Sequence, residues 1–220
     1  MNVLVIAPHM DDEVLGCGGT ISRHVDSGDD VCVCVVCNRA YDHEYDTKAI
    51  DAEKRSAEEA RAVLGYGMLR YLDLPDERLY AHLQEAIAGI ERVVAAVQPD
   101  VVYTAFGGDL HQDHRTVAHA VNIALRAGVA PSVKRALAFE VPSGTDQALS
   151  GLGTPFTPTV FVDIEATLDR KIAAMRAYSR EMRAFPHPRS LDMLMAKARS
   201  RGAQAGLAAA EAFVLLREIV

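Results

Sequence analysis

The 220-residue sequence has no apolar run close to the roughly 20 residues that cross a bilayer, so a membrane-spanning helix is not expected. It has no basic excess either. Asp and Glu number 30 against 23 Lys and Arg, and the net charge of −7 argues against general nucleic-acid binding. No basic segment with a cleavage site precedes the first strand-like stretch, so secretion is not expected. Cysteine is scarce. Cys32, Cys34 and Cys37 share one apolar run and only Cys17 lies elsewhere, a poor layout for a disulfide framework. A reducing cytoplasm is the expected setting. Internal repeats and low-complexity linkers are missing. A dinucleotide fingerprint is missing too, because Gly16-Cys17-Gly18-Gly19 lacks the G-x-G-x-x-G spacing and follows acidic residues that would repel a pyrophosphate. Close packing of a helix on a strand accounts for those glycines.

What is present is alternation. Half of the residues are apolar, enough for one sizeable core, and a single α/β domain over 1–220 is the default at this length. Residues 2–7 (NVLVIA) and 31–37 (VCVCVVC) are nearly all apolar, as strands buried on both faces must be. Between them, 14–27 reads as a helix stopping at Gly28. Helical spacing recurs over 48–64 (ending at Gly65), 79–97, 112–127, 166–182 and 190–210, and strand-like runs at 69–72, 101–106, 135–141 and 159–164. The tail AEAFVLLREI suits a strand or a helix end equally. Strands alternating with helices imply a Rossmann-like, doubly wound, mostly parallel sheet. Residues 142–158, rich in Gly, Pro, Ser and Thr, read as a long loop of the kind that is often functional.

Two clusters carry the chemistry. Pro8-His9-Met10-Asp11-Asp12-Glu13 follows the first strand, and Gly107-Gly108-Asp109-Leu110-His111-Gln112-Asp113-His114 follows the strand at 101–106. Ligands of open α/β sheets sit at the carboxyl ends of the strands, so both clusters fall on that edge. Carboxylates massed there destabilise the fold unless a positive charge sits among them. Histidine with aspartate is a mixed N/O donor set suited to zinc or a similar divalent ion, which neutralises the carboxylates. His9 and Asp12 are three apart and can point one way, leaving Asp11 to point elsewhere; His111 and His114 are likewise three apart, so one can bind metal while the other faces substrate.

Plainer readings compete. A helix cap is the plain reading of the acidic pair, but two His/Asp clusters on one sheet edge make that a poor account of both. Cys34-Val35-Val36-Cys37 has C-x-x-C spacing inside a buried strand, where the two side chains are expected on opposite faces and core packing is the better reading. His24, His43, His82 and His119 show no partner pattern and read as surface or satisfied core residues.

Together the motifs resemble the PIG-L/LmbE family of zinc-dependent N-acetylglucosaminyl deacetylases, whose strand-(P/A)-H-P-D-D-E and H-x-D-H elements stand here as Pro8–Glu13 and His111–His114, with Met10 at the usual proline. Lys54-Arg55-x-x-Glu58, Phe156-x-Pro158, Phe161-Val162-Asp163-Ile164, Tyr178-Ser179, Pro186-His187-Pro188-Arg189-Ser190 and Ala210-Glu211-Ala212-Phe213 extend the resemblance over nearly the whole chain. It implies an LmbE-like single domain, with His9, Asp12 and His114 as metal ligands for Zn2+ (Fe2+ or another divalent ion being the alternative). It also implies Asp11 as general base, His111 holding the oxyanion or protonating the leaving amine, Asp113 orienting a histidine, and Arg55 contacting substrate. Bacterial relatives commonly form homo-oligomers, which is the family-level expectation.

Residues 170–201 carry Arg170, Lys171, Arg176, Arg180, Arg183, Arg189, Lys197, Arg199 and Arg201 against Glu181 and Asp192. Most of these read as solvated faces or a subunit contact. Arg189, in a Pro-rich loop, is the expected pocket residue for an anionic group on an amino-sugar substrate, and His187 is a second candidate. The leading expectation is removal of an N-acetyl group from an N-acetylglucosamine-type sugar or conjugate. The alternatives are another metal-dependent amidase or phosphoesterase, or a metal- or sugar-binding protein without turnover; Asp11 and His111, which metal holding does not need, count against the last.

Overall fold

The apolar runs form a twisted seven-stranded sheet. A computed structural model describes residues 1–39, 46–149 and 153–220. The strands are β1 (Asn2–Ala7), β2 (Asp30–Asn38), β3 (Met68–Pro75), β4 (Val101–Ala105), β5 (Arg135–Phe139), β6 (Val160–Asp163) and β7 (Ala210–Glu218). The helices are α1 (Asp12–Asp26), α2 (Thr47–Leu64), α3 (Leu83–Val97), α4 (Gln112–Ala124), α5 (Leu168–Ala177) and α6 (Leu191–Ala205). Strand order is β3-β2-β1-β4-β5-β7-β6. β1 to β5 pair in parallel, and β7 runs antiparallel to both of its neighbours. The expected α/β, mostly parallel architecture is therefore present.

The unbroken apolar character of β1 and β2 follows from burial on both faces. Val3, Val5, Val31, Val33 and Val35 enter one core with α1, α2 and α5, while Leu4, Ile6, Cys32 and Cys34 enter a second beneath α3 and α4. The C-x-x-C expectation needs correction here. Cys34 and Cys37 lie in the same core, at the end of β2 where its pairing with β3 shifts register between Val35 and Cys37. The extra residue lies in β3, where Tyr71 to Leu74 spans the partners of Val35 to Cys37 and Asp73 has φ +54°. All four cysteines are free and buried.

The glycines after His9–Glu13 are packing glycines: a Cβ on Gly16 would stand 2.1 Å from the ring of Phe139 on β5. Gly65 caps α2 at φ +85°, which explains that helix's stop. Several expected boundaries move. The span 79–97 opens with a short 3-10 turn before α3; α5 stops at Ala177 and α6 at Ala205, the latter with Gly206 in the left-handed region. The undecided tail is strand β7. His43 lies outside the described residues. His24 is bonded to Asp29 and Tyr103, His82 pairs with Glu85, and His119 is exposed. Among the described residues no helix is long and apolar enough to cross a membrane.

From β1 the chain winds one way through β2 to β3, and from β4 it winds the other way to β5. The crevice between the carboxyl ends of β1 and β4 is thus the point where the winding reverses, where such sheets hold ligands.

Candidate metal centre

His9, Asp11 and Asp12 leave β1 in a tight turn, and His111, Asp113 and His114 open α4. Strand pairing of β1 with β4 brings them together. Three donor atoms face one another. His9 Nδ1 is 3.2 Å from Asp12 Oδ2, His114 Nε2 is 3.2 Å from the same oxygen, and the two ring nitrogens are 3.3 Å apart. A tetrahedral ion bound at zinc–nitrogen and zinc–oxygen lengths requires ligand atoms about 3.3 Å from each other. The triangle meets that requirement without rearrangement, and all three side chains are buried. His111 is also near: His9, His111 and His114 place ring nitrogens within 4.8 Å of one another, as do His9, Asp76, His111 and Asp113 with their ligand atoms. The His111 ring, however, stacks on His114 at 4.9 Å, and its Nδ1 accepts the Asp113 N–H at 3.2 Å. That hydrogen bond assigns the proton of the neutral ring to Nε2.

Further carboxylates surround the two imidazoles. Asp76 Oδ1 is 2.9 Å and Asp113 Oδ2 3.4 Å from His9 Nε2, and the Glu77 N–H donates to both carboxylates. Asp109 Oδ2 stands 3.2 Å from His114 Nδ1, while its oxygens accept from the His111 N–H and the Thr145 hydroxyl. A carboxylate thus lies behind each of the two imidazoles, on the side away from the shared Asp12 oxygen, the arrangement that would orient both rings toward an ion.

The electrostatics follow from crowding without a cation. Burial opposes ionisation of Asp12, but the hydrogen bonds and charges of His114 and His9 outweigh it and hold that carboxyl well below its usual range. Burial likewise opposes charge on the imidazoles, yet Asp113, Asp12 and Asp76 hold His9 well above its ordinary value, and Asp12 with Asp109 raise His114 to about 9. His111 goes the other way, to about 3, through burial and the charge of its two histidine neighbours. Burial lifts Asp11 to about 7 against the pull of Arg189. In the metal-free chain the surrounding carboxylates thus favour protonation of His9 and His114, and an incoming ion competes with those protons. Affinity for a divalent ion should rise with pH up to about 9, with proton release on binding; calorimetry at pH 6, 7 and 8 in buffers of different ionisation enthalpy measures both. A pH-independent affinity would contradict this ligand set.

Asp11 stands apart from the triangle. Its Oδ2 accepts from Arg189 at 2.9 Å, and its buried Oδ1 has no hydrogen-bond partner among the described residues. His187 is half-buried beside Arg189 and accepts its backbone N–H. Arg55 is exposed on α2 and joins none of these contacts among the described residues. Other basic residues of 170–201 act within the fold. Lys171 bonds Glu211 and the Leu15 carbonyl, Lys197 and Arg201 hold Glu140, and Arg170 pairs with Asp26.

Sequence reasoning missed Arg39, Asp76 and Glu181, and gave Asp109 no role. Arg39 and Asp76 are the first residues beyond β2 and β3. The same strand-end rule would have found Asp76 had β3 been carried to Pro75 instead of stopping at 72.

This constellation matches a known family model, that of GlcNAc-PI de-N-acetylase (PIG-L), over residues 4–125. The chain belongs to the PIG-L family. Within that family's reach, it is 29% identical over 192 residues to the diacetylchitobiose deacetylase of Thermococcus kodakarensis, covering 80% of this chain and 68% of that one. Its fold is similar to N,N'-diacetylchitobiose deacetylase from Pyrococcus horikoshii, with TM-score 0.76, 20% identity, and coverage of 97% of this chain and 83% of that one. It is equally similar to GalB, the 4-carboxy-2-hydroxymuconate hydratase from Pseudomonas putida, with TM-score 0.77, 23% identity, and coverage of 100% and 98%. One PIG-L-like fold thus carries deacetylases and a hydratase, so the site rather than the fold has to decide the reaction.

Proposed function

We propose that this PIG-L member is a metal-dependent hydrolase that removes the N-acetyl group from an N-acetylglucosamine-type sugar or sugar conjugate, releasing acetate and a free amine. The observation that carries the reading is the triangle of His9, Asp12 and His114 together with three buried carboxylate oxygens that have no hydrogen-bond partner among the described residues, Asp11 Oδ1, Asp12 Oδ1 and Asp113 Oδ1: Asp12 belongs to the triangle and Asp113 lies behind His9, which leaves Asp11 Oδ1. Metal holding alone does not call for that oxygen. His9, Asp12 and His114 would hold the ion, zinc suiting two imidazoles and one carboxylate best and Fe2+ being a workable substitute. When bound, the ion supplies Lewis acidity that polarises an amide carbonyl and makes water a better nucleophile at neutral pH.

The chain's own residues do the rest. Asp11 Oδ1 takes a proton from the attacking water as its oxygen bonds to the acetamide carbon. The carbonyl oxygen gains the negative charge, and the Nε2–H of neutral His111 donates to it. The C–N bond then breaks, and the proton held by Asp11, or one from His111, passes to the leaving nitrogen. Asp113 keeps the His9 ring in place. Arg55 and His187 are proposed as substrate contacts. The diacetylchitobiose deacetylases, whose names describe hydrolysis of an acetylated amino sugar, support the substrate class.

A panel of N-acetyl glycosides, non-sugar N-acylamines and phosphate monoesters, assayed with zinc- and iron-loaded protein, tests the reading. Acetate release from the N-acetylglucosamine derivatives is expected. Turnover confined to phosphate esters or non-sugar amides, or a full metal complement with no turnover, would replace it.

A further inference from the structure

We propose that the connection between α5 and α6, residues 178–190, is a positioning element for Asp11: it fixes one oxygen of that carboxylate and leaves the other free to accept the proton. The proposal rests on Asp11 being the base in the reaction above.

Asp11 has φ +118° and ψ −30°, a backbone conformation that an L residue keeps only when its surroundings impose it. Two restraints impose it, and both end in the same connection. The Asp11 N–H donates to Glu13 Oε2 at 3.1 Å, and Glu13 Oε1 accepts the Tyr178 hydroxyl at 2.6 Å. From the other side Arg189 donates through one NH1 to Asp11 Oδ2 at 2.9 Å and to Glu181 Oε2 at 3.0 Å. Glu181 Oε2 also accepts from Arg39 at 2.7 Å, and Arg189 Nε donates to Ser143 Oγ at 3.0 Å. The guanidinium is thus held at three points, and Asp11, Glu13, Tyr178 and Glu181 are all buried. This connection lies outside residues 4–125, the stretch that matches the family model.

A carboxylate has two equivalent oxygens and a soft terminal torsion. An arginine locked on one oxygen removes that freedom and decides which oxygen meets the water. Oδ1, without a partner among the described residues, is the one left over. Arg189 has its charge directed onto the protein's own carboxylates, which makes it a positioning residue rather than the anion-binding residue its loop setting suggests.

The test is a double-mutant cycle on the metal-loaded enzyme. Arg189→Ala should lower kcat about 10- to 100-fold with KM for the N-acetyl substrate changed less than about threefold, because a misplaced base slows the step without weakening binding. In an Asp11→Asn background the same substitution should have no further effect on kcat. Arg189→Lys, which keeps charge and bulk but not the fork, should show the same kcat loss should the alanine variant fail to fold. Tyr178→Phe should move kcat in the same direction by less. A raised KM with unchanged kcat would make Arg189 a substrate ligand, and equal losses in both backgrounds would make its role general stability; either result overturns the proposal. Melting temperatures give a readout that needs no substrate. Arg189→Ala or Arg189→Lys should lower the melting temperature of the wild-type background clearly more than that of Asp11→Asn, and additive shifts would overturn the proposal. Should the wild-type enzyme hydrolyse no acetamide at all, the deacetylase reading falls while the melting cycle still decides whether the connection holds Asp11.

Discussion

An Asp11→Asn enzyme keeps its metal and loses between about 10²- and 10⁴-fold in kcat, the range that a positioned base contributes. The metal should stay because Asp11 is not part of the ligand triangle: the donor atoms 3.2–3.3 Å apart belong to His9, Asp12 and His114. The rate should fall because asparagine matches the shape of aspartate but has no oxygen basic enough to take a proton from water. Burial raises Asp11 to about 7 in the metal-free chain, and a cation bound beside it would pull that value down and keep the carboxylate ionised, as a base must be. Metal analysis and steady-state kinetics on the same preparation measure the two halves of the prediction. A variant with full activity would remove Asp11 from the role of base, and a variant that has lost its metal would place it among the ligands.

The second large effect is on the metal itself. His114→Ala should reduce the metal content of the purified protein from about one ion per chain to near zero, and activity with it, because two ligands cannot compete with water and buffer for the ion. A buried network is also broken. His114 lies against both Asp12 and Asp109, and removing one member of such a set costs about 3–5 kcal/mol in the metal-free chain. Loss of metal must therefore be separated from loss of fold. Asp109→Asn provides the separation. It keeps the three proposed ligands and changes the carboxylate 3.2 Å behind His114, together with its bonds to the His111 N–H and the Thr145 hydroxyl, so it should cost about 10- to 100-fold in metal affinity or activity. Metal titration monitored alongside circular dichroism distinguishes the cases. A folded His114→Ala protein that still binds one ion tightly would overturn the ligand assignment and point to His111 in its place.

Much of the centre was legible in the sequence because its parts are short-range. His9 with Asp12 and His111 with His114 are three-residue spacings at the ends of apolar runs, and both the spacing and the runs can be read locally. The rule that ligands gather at the carboxyl edge of a parallel sheet then placed two distant clusters together before any strand pairing was known. The all-apolar β1 and β2 signalled burial on both faces for the same local reason. What stayed hidden depends on which residues meet across the chain. Glu181 meets Arg39 and Arg189, and Tyr178 meets Glu13, through contacts between residues that no local pattern relates. The bulge between Tyr71 and Leu74 is a property of the pairing between β2 and β3, not of either strand alone. The tail was ambiguous because Ala210–Glu218 has no decisive period; its antiparallel place between β5 and β6 settles it.

The sequence by itself thus determined the fold class and set two His/Asp clusters on one sheet edge, since strand burial and i,i+3 spacing are written in neighbouring residues; the choice of His9, Asp12 and His114 among them came from the family resemblance. Only the tertiary structure decided which carboxylate stands behind which imidazole, and which oxygen of Asp11 remains free, because electrostatic partnership depends on distances of about 3 Å between segments brought together only by folding.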